Sequence, residues 1–283
     1  MFLDSHSSLK TPLEKNGTLR ILSNIVPIFS FNFCEFTLFI QQKLEKDNNS
    51  FLNLQNEWSV AKQIRKFNME IINQELINKS LEFLKNITKK DKVCVIHHTD
   101  PDGVSSGVIL AKAIERLRGK KIDLRHNQKG SLHSLTKETI DLLRKKEINK
   151  LLVIDIGPED NMETLALASE IAEILIIDHH QIPNEVKNKR VILYKPQLVF
   201  SGVQPSRYCA AKLVYDLCSR ITDLSDLDWV ASIGIIGDVA SPQWKEFLEQ
   251  VFKKYKIKTN KEDWFHTKMG RVASIINSLD CFG

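Results

Sequence analysis

LLVIDIGPEDNMETLALASEIAEILIIDHH, residues 151 to 180, holds two apolar runs that each close on an aspartate, with one amphipathic stretch between them. LLVID (151–155) and ILIID (174–178) are short, continuous and β-prone, the pattern of strands buried on both faces. Residues 161 to 172 read as a helix. A strand, a crossover helix and a second strand make a parallel unit. In open sheets built from such units, ligands bind beyond the carboxyl ends of the strands. Asp155, Asp178, His179 and His180 fall at those ends.

Working outward, the same alternation recurs. Residues 69 to 88 place Ile71, Ile72, Leu76, Ile77, Leu81, Leu84 and Ile87 near helical spacing. A charged turn, KKDK, leads into a strand at VCVIH (93–97), then a helix from Val104 to Arg118 and a short strand at IDLRH (122–126). A helix over 136–147 precedes the quoted segment. VILY (191–194) follows it as a fifth strand, and residues 205–219 and 227–237 read as helices. This order predicts an α/β fold: a doubly wound, mainly parallel sheet covered by helices on both faces.

The chain has 283 residues, long enough to bury a full core. Charged residues make up 27% and the apolar set 42%, ordinary values for a soluble globular protein. The net charge of +5 mildly favours an anionic partner. Five cysteines without a CxxC spacing support neither a disulfide scaffold nor a thiolate zinc site, and a reducing cytoplasm fits them. No solenoid-type repeat or low-complexity tract is present.

Residues 1–68 differ from the remainder. Seven of the fourteen phenylalanines lie in the first sixty positions. ILSNIVPIFSFNFCEFTLFIQQ (21–42) approaches the length of a membrane span, but Pro27, Glu35 and several polar residues interrupt it. It also begins too late for a secretory signal. No membrane is expected as a partner. The segment is expected to be either peripheral or an extension not native to the protein, with Met69 as the natural start. Residues 69–283 form the expected main domain.

HHTDPDGVSSG (97–107) places Asp100 and Asp102 two residues apart where a buried strand ends. Two carboxylates in one poorly solvated turn repel each other unless a cation compensates. The plain alternative is a helix entrance, with an aspartate cap, Pro101 to rigidify the turn and Gly103 to accept a tight one. Asp155 alone could equally cap a loop. Adjacent imidazoles at 179 and 180 are a less common way to finish a strand, and histidine is the commonest metal ligand. Taken together, these sites supply oxygen and nitrogen ligands and no thiolate. That set suits Mn²⁺ or Mg²⁺, with Zn²⁺ as a third option. Two such ions can activate water and clamp an in-line phosphoryl displacement. The amides at Val104 to Ser106 would suit a phosphate.

HTDPDG (98–103), VID (153–155), IDHH (177–180) and GIIGD (234–238) together resemble the DHH phosphoesterases, over about Lys92 to Gly283. The HxDxDG form is most similar to RecJ-type single-strand exonucleases, including archaeal ones. Other branches place a histidine four residues ahead of the first aspartate, where this chain has Ile96. The resemblance implies that His98 and Asp100 hold one metal, that Asp102, His179 and Asp238 hold the other, and that Asp155 bridges them. It implies further that His180 faces the phosphate and that Asp178 orients an imidazole. On this resemblance the function is metal-dependent hydrolysis of single-stranded DNA or RNA, with 5′ to 3′ polarity, metal-activated water and two ions of Mn²⁺ or Mg²⁺. DNA repair and replication proteins are the implied setting and partners.

Two alternatives stand beside it. One keeps the chemistry on short oligonucleotides, cyclic dinucleotides or pyrophosphate-like compounds. The other is a non-catalytic replication or repair scaffold of the same fold. RecJ-type enzymes resemble a two-lobed clamp, and only 45 residues follow Asp238. The expectation is a catalytic lobe truncated before a second, substrate-clamping domain. Arg144-Lys145-Lys146, Lys187-Lys189-Arg190 and Lys253-Lys254-Lys256-Lys258 fit a phosphate backbone, though such runs are more often solvated ends of helices. Trp229, Trp244 and Trp264 could stack on bases, with core packing the safer reading.

Overall fold

The apolar runs become one five-stranded sheet in the computed structural model, which describes residues 69–128, 134–182, 184–202, 204–258 and 263–282. The expectations for residues 1–68, including the apolar stretch 21–42, lie outside the described residues. In chain order the elements begin with β1 (Glu70–Ile71), α1 (Gln74–Lys85), β2 (Val93–His98), α2 (Pro101–Arg118) and β3 (Leu124–Gln128). Next come α3 (Lys137–Lys145), β4 (Lys150–Ile154), α4 (Met162–Ile171), β5 (Glu173–Ile177) and β6 (Val191–Tyr194). The remainder is α5 (Pro196–Val199), β7 (Phe200–Ser201), α6 (Ala210–Cys218), α7 (Asp228–Gly237), α8 (Lys245–Lys254) and α9 (Lys268–Phe282).

The sheet order is β3-β2-β4-β5-β6, and every pairing within it is parallel. From β2 the chain winds outward to β3, then returns past β2 to β4 and continues the other way. That reversal opens a crevice at the carboxyl ends of β2 and β4, where doubly wound sheets bind ligands. A separate antiparallel pair joins β1 to β7.

Side chains alternate across each strand, so the sheet feeds two cores. Val95, Leu152, Ile154, Leu175 and Ile177 pack with α1, α2, α6 and α7. Cys94, Ile96, Leu151, Val153, Ile174 and Ile176 pack with α3 and α4 on the other face. Ile96 therefore serves the core on that second face.

Several boundaries differ from expectation, each through a polar contact. The strand expected at 122–126 lies at 124–128. Asp123 stays outside it because its carboxylate pairs with Arg118 and accepts the Val93 amide. The helix expected from Val104 begins at Pro101, because Asp100 caps it and proline suits the first helical position. The helix expected over 69–88 shortens to α1, capped by Asn73, and residues 70–71 pair instead with 200–201. The helix expected over 205–219 splits into a 3₁₀ turn at Pro205–Arg207 and α6.

Candidate metal centre

The β2–α2 turn carries the first two carboxylates, and each caps a different helix. Asp100 Oδ1 accepts the Gly103 amide of its own turn at 2.7 Å, while Oδ2 lies 3.1 Å from His98 Nδ1. The turn is so tight that a Cβ on Gly103 would sit 2.5 Å from the His98 carbonyl oxygen. Asp102 is almost wholly buried in the first turn of α2 and reaches across to α6. Its Oδ2 accepts the Ala210 amide at 2.6 Å and its Oδ1 the Ala211 amide at 2.9 Å. The helix-entrance reading of DPDG is correct for Asp100, and it does not exhaust what either carboxylate does.

Asp155 follows β4 with φ of 57°, the left-handed region that few side chains other than those of asparagine, aspartate and histidine adopt. Its amide donates to Ile177. Asp178, His179 and His180 follow β5, and Asp238 caps the carboxyl end of α7. The next residue, Val239, is also left-handed, a strained state for a β-branched side chain.

His179 lies among three carboxylates. Its Nε2 is 3.3 Å from Asp155 Oδ1 and 3.9 Å from Asp102 Oδ2, and its Nδ1 is 4.0 Å from Asp238 Oδ2. Asp155 Oδ1, His179 Nδ1 and Asp238 Oδ2 are buried without a hydrogen-bond partner. Leaving buried polar atoms unpaired costs about 1–3 kcal/mol each, more when the group is charged.

The electrostatics match. Burial, then the charges of Asp102, Asp100, Asp178 and Asp238, push the Asp155 carboxyl well above the usual range. Burial and the Asp102 charge raise Asp238 to about 7, against an opposing pull from His179. Asp102 is raised by burial despite its two amide donors. Asp100 is half-buried, and its hydrogen bonds from His98 and the Gly103 amide outweigh the desolvation and lower it. Asp178 is likewise lowered, its burial overcome by His180 and the ammonium of Lys195. A pocket that cannot ionise its own carboxylates cheaply is complementary to cations.

Among the described residues, ligand-capable atoms fall into three groups, each within 4.8 Å: His98, Asp100 and Asp155; Asp155, His179 and His180; and Asp102, Cys209 and Asp238. Orphaned buried oxygens and an oxygen–nitrogen donor set fit divalent cations, and Asp155 belongs to two groups. All eight residues singled out from the sequence lie at or beside this cluster. His180 shares a group with Asp155 and His179. His97 instead packs on α2, with Nδ1 2.7 Å from the His98 carbonyl.

Sequence reading missed three residues. Cys209 is buried beside Asp102 and Asp238, so the expected absence of sulfur from the cluster is corrected. Burial and those two carboxylates push its thiol well up. No cysteine spacing announces it. Lys195 and Glu159 pair in full burial behind Asp178. Lys195 carries a positional signal, since it follows β6 much as Asp155 follows β4; Glu159, in the turn at 158–160, carries none. Of the tryptophans, Trp244 is core, with Nε1 donating to the Arg207 carbonyl, Trp264 packs against the core and Trp229 is partly exposed.

The model of the DHH family, N-terminal domain, matches residues 92–237, just over half of the 283. An uncharacterized protein of Methanocaldococcus jannaschii is 34% identical over 173 residues, which cover 56% of this chain and 38% of that protein. The crystal structure of exonuclease RecJ bound to manganese superposes with a TM-score of 0.55 at 17% identity, covering 74% of this chain and 58% of that one. RecJ from Thermus thermophilus in complex with Mn²⁺ gives 0.52 at 14% identity, covering 75% and 38%. The chain thus spans less than two thirds of each of these relatives. At such identities the two structures bear on the fold. No described helix is long and apolar enough to cross a membrane.

Proposed function

The chain belongs to the DHH family, and we propose that it is a metal-dependent phosphodiesterase acting on single-stranded nucleic acid from the 5′ end. The observation that carries the reading is Asp155, one buried carboxylate common to two cation-capable groups. A carboxylate shared by the His98–Asp100 group and the His179–His180 group supports a bridging role, and Asp102 and Asp238 lie 3.9 and 4.0 Å from His179.

In this reading His98 and Asp100 would hold one ion, Asp102, His179 and Asp238 would hold the other, and Asp155 would serve both. Mn²⁺ or Mg²⁺, when bound, supplies positive charge for phosphoryl oxygens and makes water acidic enough to attack. The protein supplies position. Asp100 and Asp102 are anchored through helix amides, so their carboxylates reach the crevice with little freedom left to lose. Asp178 holds His180 by Nδ1 at 2.6 Å and so aims its ring. The amides of Val104 to Ser106, expected to suit a phosphate, are taken up instead by the helix that begins at Pro101: Gly103 donates to Asp100 Oδ1 and Val104 to the Asp100 carbonyl.

The test is degradation of a 5′-labelled single strand with Mn²⁺ or Mg²⁺, beside dinucleotides, a cyclic dinucleotide and pyrophosphate, with a chelator control. Stepwise loss from the labelled end is expected. Turnover of the short compounds alone would leave the phosphoesterase and remove the exonuclease. No turnover of any substrate, with no Mn²⁺ bound, would point to a scaffold.

A further inference from the structure

We propose that Lys195 is a positioning residue for His180, acting through Asp178; the idea deepens the phosphoesterase reading and rests on it for its consequence in turnover. Lys195 follows β6 and is completely buried. Its ammonium pairs with Glu159, from the turn after β4, and lies 2.6 Å from Asp178 Oδ2, after β5. It also donates to the carbonyls of His180 at 3.3 Å and Gln181 at 3.2 Å. One cation thereby ties the carboxyl ends of three adjacent strands.

His180 is gripped by both side chain and backbone. Asp178 Oδ1 accepts a hydrogen bond from His180 Nδ1 at 2.6 Å, while the other oxygen of that carboxylate is turned to Lys195. The His180 carbonyl receives Lys195 and, at 2.9 Å, the Gln197 side-chain amide. With the proton on Nδ1, Nε2 is left as the lone-pair nitrogen of a ring that shares a cation-capable group with Asp155 and His179. Such an arrangement is not explained by stability, because a buried ion pair can usually be replaced by apolar side chains of similar volume at little cost. What apolar side chains cannot do is hold a carboxylate in one rotamer and a backbone carbonyl in one direction.

The experiment uses the full chain with Lys195→Met combined with Glu159→Gln, which removes one buried cation and one buried anion together. Mn²⁺ affinity by calorimetry and melting temperature are read beside kcat and KM on bis(p-nitrophenyl) phosphate. The expected result is a fall in kcat of about 10–100-fold, the usual scale for a group orienting a site residue, with KM and Mn²⁺ affinity within about twofold. In a His180→Ala background the same pair of changes should cost almost nothing more. An equal loss in both backgrounds, or a kcat within about twofold of the parent, overturns the proposal. A second measurement does not depend on a variant folding or on activity: ¹⁵N resonances of His180 in the metal-free parent should report protonation at Nδ1. Protonation at Nε2 alone overturns the proposal. A parent that binds Mn²⁺ but hydrolyses no phosphoester would instead count against the phosphoesterase reading, leaving the nitrogen resonances to judge Lys195.

Discussion

At the scale of single residues, Asp155 bears the most weight. Its left-handed backbone would strain most substituents, but asparagine is among the side chains that tolerate it. Asp155→Asn therefore removes charge without disturbing volume or conformation. Mn²⁺ binding and hydrolysis should fall together, by at least the ~10–100-fold that loss of an outer partner costs, while circular dichroism stays the parent's and metal-free melting at neutral pH does not fall. If the carboxylate were only a cap, activity would hold and stability would drop by roughly 0.5–2 kcal/mol. Calorimetry, a labelled-strand assay and thermal melting on the same samples separate the two. Near-normal turnover at low Mn²⁺ by the folded variant would remove the bridging role.

At the scale of elements, the site depends on how closely three helices approach. Gly234, in the middle of α7, faces both α6 and α2. A Cβ there would lie 2.4 Å from the Ala211 Cβ and 2.8 Å from Asp102 Oδ1. In an open helix, glycine to alanine would stabilise by up to about 1 kcal/mol. Here Gly234→Ala should destabilise by about 1–3 kcal/mol, because backbone and a capping carboxylate must give way. Since the displaced group is Asp102, Mn²⁺ affinity should fall as well. Urea melts and Mn²⁺ titration of the variant check both signs; a stabilised variant would mean that α7 packs less closely than described.

At the scale of the whole molecule, the cluster makes folding and cation binding compete with protons. Asp238 titrates at about 7 when folded, from a usual value of 3.8, and Asp155 and Asp102 are raised as well. A raised carboxyl pKa means that the folded state binds more protons than the unfolded one between the two values. For Asp238 that stability is full below about pH 4 and is lost as pH rises toward 7, at about 1.4 kcal/mol per unit of separation; Asp155 and Asp102 act in the same direction. Asp178 works in the opposite sense, but its folded pKa is depressed, so its contribution fades only as pH falls below the usual carboxylate range. The metal-free protein should thus melt progressively lower from pH 5 to pH 7.5. Saturating Mn²⁺ should reverse that trend, because it binds the ionised carboxylates of the folded state. Calorimetric melts across this range, with and without Mn²⁺, check it; a metal-free melting temperature that rises over the interval would contradict it.

Local pattern was enough for the α/β class, the parallel strands and the strand-end residues. VCVI, LLVI and ILII are continuous apolar runs, and only a strand covered on both faces buries them whole. The aspartates and histidines that end them were legible for the same reason, as polar residues where burial stops. What tertiary structure alone decided was which polar groups meet. Asp102 caps a helix over a hundred residues away, and that contact sets where α6 begins. Cys209 joins the cluster only because α6 docks there, and Lys195 meets Glu159 and Asp178 only because β4, β5 and β6 are neighbours. Periodicity reports how a residue relates to its own element. It carries no record of contacts made across the chain, because those follow from the order in which the strands are laid into the sheet.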